Sequence, residues 1–572
     1  MFTSGGGFPA LPRRALRALV ICFFIATLGL LGLHRLRSDA FTTARLPAEA
    51  DKLPIFESRP YIKVIQDQDK DTWPYRVFKS SSWMPPNITI AVNKGDLAEG
   101  YLFLDPKSRG KGRGQKQAGP IIIDMNNELV YAQDATNGTN NFRMQETDAG
   151  SHMTYWQGKS VLGHGYGNVH ILDNQYRETI VSLEANIDAH TGGTPGLIDF
   201  HEHRMTRKGS ILVSVYNNTE WDLTSIGGES DGWVADSLFY EIDTVTREVL
   251  FSWSALEHLP LGTSRLPLKS YMGSGLKKSP WDHFHINSIQ DLDEGYLISS
   301  RHTWSCYLIS KSSGRVIWTL DGSGNQSDFG ALPTNGQFRW QHDARAHNVT
   351  QNSMALSIFD NHSTKEDLDQ GPTKGLVLEV PLPPDSSKSP KVLRSIAREG
   401  IPQVDSQGSF QTDLSNGNQL LGYGPLSLIQ EFGPGSDGTD LRWEGRFGYN
   451  FKSQSYRAFK SKWSATPADW DPSLVIEMDA PGCDKQGDDH CIRAHVSWNG
   501  ATDVTAWSIY VGGHARTKLL GKLALKLVGK SYRRGFETVI DISVSSKKVC
   551  LQVGAVQSNV EVRRSNVVCL GP

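Results

Sequence analysis

One unit recurs along this chain: an apolar strand, a turn of acidic or Gly/Ser residues, and a second strand that often ends in an aromatic. It occurs six times, as IIIDMNNELVYA from Ile121, VHILDNQYRETIVSL from Val169, LFYEIDTVTREVLFSW from Leu238, YLISKSSGRVIWTL from Tyr307, GLVLEVPLPPDSSKSPKVL from Gly375 and LIQEFGPGSDGTDLRWEG from Leu428. Each copy alternates apolar and polar residues at period two around turn residues, as half-buried antiparallel strands do. A further strand precedes several copies: GSILVSVYN from Gly209, GYLISSRH from Gly295, SMALSIFDN from Ser353 and NQLLGYGP from Asn418. Four strands repeated in this way describe an all-β chain built on a six-bladed β-propeller. A pair of stacked sandwiches is the alternative that alternation leaves open. The polar, Pro-containing run KWSATPADWD at residues 462–471 marks a boundary. Beyond it, IRAHVSWNGATDVTAWSIYVGG, ETVIDISV, KKVCLQVGA and NVEVRR read as strands of a small C-terminal β-sandwich.

The compartment follows from the chain's first 40 residues and its cysteines. Residues 18–33 form an uncharged run of 16 residues, preceded by Arg13, Arg14 and Arg17 and followed by Arg35 and Arg37. A span of about 20 residues crosses hydrocarbon comfortably, and Leu16 with snorkelling flanks extends this one. The expectation is a signal-anchor transmembrane helix at 16–36 with a cytosolic tail at 1–15, the bulk of the chain facing the secretory lumen or the exterior. Next come a luminal linker and first strands at 37–85, the propeller at 86–460 and the sandwich at 472–572. A cleaved signal peptide, giving a secreted protein, is the alternative. Sequons at Asn87, Asn137, Asn217, Asn325, Asn348 and Asn361 agree with export as candidate glycosylation sites. Cys483, Cys491, Cys550 and Cys569 form an even local set in the last 90 residues, and 483–491 with 550–569 is the shortest-loop disulfide pairing. With 59 Lys+Arg against 61 Asp+Glu, the chain lacks the basic surplus that a nucleic-acid partner requires.

Seven of 17 histidines fall in the runs DFHEH, DHFHINS, SRHTW and WQHDARAH. Each of the three main runs sits just before the further strand that opens a new repeat, and equivalent positions of successive blades face one central channel. A ring of imidazoles near an Arg stabilises a fold poorly, because each buried polar group needs its own partner. It is well suited to moving a charged group.

The segments HFHINSIQDLDEGYLISSRHTWSCYLISKSSGRVIW and FRWQHDARAHN…SIFDN resemble the fungal branch of the arylsulfotransferase (arylsulfate sulfotransferase) family, over residues 88–447. The resemblance implies a propeller that moves a sulfuryl group from an aryl sulfate ester to a phenol. It implies a histidine nucleophile, no cofactor and no phosphorylated sulfate donor. Carried over by motif, His342 of QHDAR is the nucleophile, while His285 and Asn287 of HxN and Arg301 of SSRH hold the sulfate oxygens. His201, the first His of the HE element, is the acid/base or phenol-side partner. His203 and His283 stand where the family carries other residues. Which member of each H-x-H pair points inward stays open, although alternation puts both on one face. His302, Asp343 and Arg345 complete the candidate set, with Asp343 a poor orienter because adjacent strand residues face opposite ways.

The chemistry asks for these residue types. Neutral imidazole is a good nucleophile near pH 7, and two covalent steps lower each barrier. Sulfuryl transfer resembles phosphoryl transfer, with charge on peripheral oxygens that fixed Arg, Asn and His donors stabilise. A departing phenolate takes a proton from a group titrating near neutrality.

Two other readings compete. H-x-H pairs on strands suit iron or zinc, although HEHRM lacks the second His of HExxH and Arg301 would repel a cation. A non-catalytic propeller that binds sugars or proteins is the other. The GKS triplets at Gly158 and Gly529 lack the earlier Gly of a phosphate loop, with Met153 and Ala524 in that place. The basic run SRGKGRGQK at 108–116 reads as a solvated loop, and GTS at Gly262 forms no nucleophile elbow.

Overall fold

A computed structural model of the chain describes residues 44–47 and 52–571, except 69–70, 111–113, 135–137, 162, 184–195, 325–326, 365–370, 436, 484–488 and 514–524. The apolar run at 18–33, with the transmembrane helix expected there, lies outside the described residues. Among the described residues no helix is long and apolar enough to cross a membrane.

Six antiparallel sheets follow one another along the chain. From the inside outward, the first pairs Ala458–Ser461, Tyr101–Leu104, Ile121–Ile123 and Leu129–Ala132. The second holds Thr139–Thr147, Gly150–Val161, His164–Leu172 and Glu178–Val181, and the third Ile198–Met205, Ser210–Trp221, Gly232–Asp243 and Val249–Ser254. A single pair, Gly167 with Ile198, joins these two. The fourth is Ile286–Asp291, Gly295–Ser300, Ser305–Ser310 and Val316–Asp321; the fifth is His342–His347, Ser353–Asp360, Lys374–Pro381 and Lys391–Ile396. The sixth, Ser409–Gln411, Gln419–Gly422, Leu428–Phe432 and Leu441–Arg446, gains Thr89–Asn93 on its outer edge. All six strand–turn–strand units supply the third and fourth strands of a sheet, counted from the inside.

Each inner strand touches the next, and the last, Ala458–Ser461, touches both Ser409–Gln411 and Thr139–Thr147. A late segment therefore closes the first sheet and the ring, a propeller-like architecture in which short inner edges face the axis. Six apolar cores fill the six gaps. In the first sheet, Leu102 and Leu104 face Leu420 and Trp443 of the sixth, whereas Phe103 faces Phe142 and Tyr155 of the second. Period-two alternation thus divides residues between two neighbouring cores rather than between core and solvent.

Residues beyond 472 build two further sheets over one core that includes Ile492, Trp507, Ile540 and Val553. The chain's early residues complete them: Ala44–Arg45 pairs with Val560–Arg564, Ile55–Phe56 with Lys526–Tyr532, and Ser58–Pro60 with Glu537–Val544. The segment expected as a linker before the ring therefore contributes strands to the sheets that follow it. This body rests against the ring, where Tyr176 Oη donates to the Gly500 carbonyl (2.7 Å) and the Gly500 amide donates to that of Val130 (2.8 Å). Cys483 pairs with Cys491 and Cys550 with Cys569, the two shortest loops.

Candidate active site

Every inner strand runs from one axial cavity to another. The first cavity, about 590 Å³, takes residues at or just before the inner strands' beginnings, among them His201, His285, His342 and Tyr456, together with Arg301 from the end of a second strand. The second, on the far side, takes later residues of the same strands, among them Arg143, Arg204, Asp343 and Arg345. Between them Glu202, fully buried, meets Arg143 (2.8 Å), Arg345 (2.5 Å) and Arg457 (3.3 Å).

The imidazoles of the first cavity have defined tautomers. Asp199 accepts from the Gly165 amide (2.5 Å), the His201 amide (2.8 Å), Ser214 Oγ (3.1 Å) and His201 Nδ1 (2.6 Å). Burial pushes the Asp199 carboxyl up, but His201 and these bonds outweigh it and hold it below the ordinary value. A carboxylate can only accept, so His201 Nδ1 carries the proton and Nε2 is left basic. Gly165 is required at this point, since a Cβ there would lie 2.7 Å from the Phe200 amide nitrogen. His285 Nδ1 likewise donates to Asp282 Oδ2 (2.5 Å). His342 Nδ1 meets Asn361 Oδ1 (2.7 Å), and the Asn361 Nδ2 donates to the carbonyls of Val404 (3.0 Å) and Gln407 (2.9 Å), which fixes the amide's orientation. Nδ1 of His342 is thus the donor, and Nε2 keeps its lone pair, towards which the Gln407 amide donates at 3.4 Å. Burial first, with Arg301 among the neighbouring cations, holds both His285 and His342 well below the usual imidazole range, so both are neutral near pH 7.

Arg301 follows the strand Gly295–Ser300, and its amide donates to the His285 carbonyl (2.9 Å). Its Nη1 donates to Tyr271 Oη (2.8 Å) and to His302 Nε2 (2.8 Å), and its Nη2 to the Asp405 carbonyl (2.8 Å). His302 donates from Nδ1 to the Asp282 carbonyl (2.6 Å), so it acts behind the cavity as the guanidinium's anchor. Of five guanidinium protons, these contacts leave Nε–H and one on Nη2 for a ligand. Trp156, Tyr166, Phe200, Met272 and Tyr456 supply an apolar, largely aromatic wall beside this cation, which suits a flat aromatic anion.

Sequence reasoning brought His201, His285, Arg301 and His342 together, and the structure places all four on the first cavity. It sends the others elsewhere. His203 and His283 are fully buried in packing, the latter beside Trp281 and Phe284. Asn287 does not line the cavity; its Nδ2 donates to the Gln341 carbonyl (2.7 Å) and its own carbonyl accepts from Arg457 (2.6 Å). Asp343 and Arg345 pair with each other (2.8 Å) at the second cavity. Alternation fails here because the inner strands are irregular where they meet the cavity. Register shifts fall between Ile198 and His203, Ile286 and Ser288, and His342 and Arg345. His285 also has φ +63°, the left-handed region. Bulges and such residues re-aim side chains at functional sites.

Several residues escaped the sequence reading. His164, at the tip of the hairpin Gly150–Val161/His164–Leu172, lines the cavity with its Nε2 3.6 Å from Asp282. The acids were legible as D-x-H in DFH and D-x-x-H in DHFH. Asn361 was read as a glycosylation site, and that reading is corrected: it is fully buried and both its amide atoms are engaged. Asn348 is exposed, Asn87 and Asn217 are half-buried, and Asn137 and Asn325 lie outside the described residues. Closely spaced His164, Asp199 and His201, and His164, Asp282 and His285, would also suit a metal ion.

His203 and His283 set an expected pH response. Burial, first, pushes them down to about 3 and about 4. The folded chain then stays unprotonated there while the unfolded chain takes up protons below about 6.5. Stability present at pH 7 therefore falls on acidification below about 6.5, by about 1.4 kcal/mol per pH unit for each histidine. Denaturant unfolding between pH 7 and 5 measures this. Equal midpoints throughout would contradict it.

A sequence profile of the family described as Arylsulfotransferase (ASST) matches residues 143–448. No curated protein matches the chain in sequence. Solved structures with loose likeness include the periplasmic gluconolactonase PpgL of Pseudomonas aeruginosa (TM-score 0.31, 10% identity, 78% of this chain and 99% of that one). Others are the WD40 domain of Toxoplasma gondii coronin (0.26, 9%, 82% and 91%) and AztD of Citrobacter koseri (0.25, 10%, 79% and 100%). The profile match spans more than half of the residues and encloses His201, His285, Arg301 and His342, and the chain belongs to the arylsulfotransferase family.

Proposed function

We propose that this chain, a fungal-type member of the family on a six-bladed propeller, transfers a sulfuryl group from an aryl sulfate to a phenol through a sulfohistidine. The carrying observation is the set of imidazoles with Nδ1–H held and the lone pair left on Nε2, gathered around the anchored Arg301. The sulfate oxygens face the remaining Arg301 donors, and His342 Nε2 attacks sulfur. The N–S bond forms, the S–O bond to the aryl group breaks, and His201, carrying a second proton on Nε2 and backed by Asp199, protonates the departing phenolate. An acceptor phenol then returns its proton to His201 as its oxygen takes the sulfuryl group from His342. No nucleotide donor is needed. Residues 158–160 lie inside a strand, not in a loop opening a helix, which supports this. The expected setting is a single-pass anchor at 16–36 with the ring at 86–460 and the sandwich at 472–572 on the luminal side, or a secreted form. The paired cysteines support an oxidising compartment.

The test is incubation with a chromogenic aryl sulfate, with and without phenol, followed by peptide mapping for a sulfated imidazole. Phenol-dependent turnover with sulfate on His342 is expected, and hydrolysis alone without a sulfated histidine would reject the reading. Arg301→Lys is expected to lower kcat/KM by about a hundredfold, about 3 kcal/mol, because an ammonium cannot keep the anchors and still offer two donors. An unchanged kcat/KM would remove Arg301 from the sulfate site. Metal chemistry, which the His164 groupings would also suit, predicts stoichiometric metal in the purified protein and loss of turnover on chelation.

A further inference from the structure

On the sulfuryl-transfer reading just given, the geometry points to Asn361 as a positioning residue that keeps the His342 nucleophile on one tautomer and makes its sulfated form a ready donor. Three cavity imidazoles are backed through Nδ1, and the groups behind them differ in kind. His201 and His285 rest on the carboxylates Asp199 and Asp282, whereas His342 rests on a carboxamide. That amide is built in. Asn361 follows the strand Ser353–Asp360, whose Phe359 pairs with His342, and its backbone carbonyl accepts from Thr373 Oγ1 (3.1 Å). Its Nδ2 is consumed by two carbonyls from the segment leading into the sixth sheet, so Oδ1 alone can face the imidazole. Beyond the amide, Arg301, His201 and Arg457 are the charged or titratable groups acting on His342, with the Tyr456 ring 6.3 Å away.

The kind of partner matters in each half of the reaction. Before transfer, an amide oxygen can only accept, so the proton stays on Nδ1 and the lone pair on Nε2. After the N–S bond forms, the ring is a sulfated imidazolium whose Nδ1–H still donates to Oδ1. An amide oxygen is too weak a base to remove that proton. The leaving group in the second step is therefore a neutral imidazole, and the sulfuryl group passes readily to a phenol. A carboxylate in the same place would take the Nδ1 proton. The ring would then have to depart as an imidazolate, a far poorer leaving group. Carboxylates behind His201, which must hold and release protons, and a carboxamide behind His342, which must carry sulfur, divide the work by the basicity of the group at Nδ1.

Single-turnover reactions of the full chain with 4-nitrophenyl sulfate, followed by identification of the sulfated ring nitrogen, test this. The wild type is expected to carry sulfate on Nε2 alone. Asn361→Ala is expected to slow the nitrophenol burst by about a hundredfold or more, as loss of a tautomer-fixing partner does, and to spread the sulfate over Nε2 and Nδ1. Asn361→Asp is expected to keep a burst but to accumulate a sulfohistidine that phenol discharges slowly. A merely structural role would shift the melting temperature without moving the nitrogen or the lifetime of the sulfated enzyme. Sulfate on Nδ1 in the wild type, or on Nε2 alone at wild-type rates in both variants, would overturn the assignment by itself. A wild type that forms no sulfohistidine would overturn the transfer reading and this one with it. Should either variant fail to fold, the ring nitrogen in the wild type still decides.

Discussion

On the proposed sulfuryl-transfer reading, His342→Ala is expected to remove transfer from aryl sulfate to phenol, with kcat/KM lower by about ten-thousandfold or more, as loss of a covalent nucleophile does. No other group can take over at comparable rate. Cys306, the free thiol among the described residues, is fully buried and its thiol is pushed up by burial to about 12. His201 and His285 keep a lone pair on Nε2, but each is tied through Nδ1 to a carboxylate, and the proposed transfer uses them for proton transfer and oxygen contact. The variant should fold, because the replaced ring makes one strong side-chain bond, to Asn361. Burst kinetics separate nucleophilic from orienting roles: the alanine variant should release no nitrophenol in its first turnover. Wild-type kinetics should be ping-pong, with parallel lines as the phenol is varied. A variant that retains a tenth of wild-type transfer would mean that sulfur passes directly between two bound phenols.

Much of the ring was legible in the sequence because each sheet is buried on both faces by equivalent neighbours. Ile121, Ile122 and Ile123 were readable as a strand without knowing which core each entered. The outer hairpins were clear for the same reason. Pairing of Ala44–Arg45 and Ile55–Phe56 with the C-terminal sheets was not legible, since strands of two residues carry no periodicity and their partners lie some 500 positions away.

The site divided differently. Repetition of His runs at equivalent positions found the axis, because inner strands converge there whatever their local detail. The direction of each side chain depended on that detail. Bulges in three inner strands and the left-handed His285 sent His203, His283 and Asn287 away from the cavity, and period two holds no record of either. Asp199 and Asp282 stand two and three residues before their histidines, a visible spacing whose meaning rests on how tightly the chain curls there. Asn361 was obscured by its own sequon, since Asn-His-Ser reads the same whether the amide is exposed or enclosed.

The axis itself makes the second large effect. Glu202→Gln is expected to destabilise the fold by at least about 3–5 kcal/mol, the cost of breaking a buried ion pair by removing one partner. Here one carboxylate serves three guanidiniums, from the second sheet (Arg143), the fifth (Arg345) and the closing segment (Arg457), all within 3.3 Å. Burial already pushes Arg143 down to about 9 despite the neighbouring acid. Without Glu202, Asp343 is left as the nearby carboxylate, 2.8 Å from Arg345 and 3.7 Å from Arg457, while Arg143 keeps the His203 carbonyl (2.6 Å) but loses its ion-pair partner. Glutamine keeps the shape and two hydrogen-bonding atoms, so the loss isolates charge. A domain's net stability is about 5–15 kcal/mol, so much of it would vanish, and the ring would open where its last strand closes. Denaturant unfolding of the variant beside Glu202→Gln/Arg143→Met gives the check. The second substitution removes one stranded cation and should restore part of the loss. A single-variant cost below about 1 kcal/mol, within the range of an exposed ion pair, would show that water reaches the network and that the two cavities are one continuous channel.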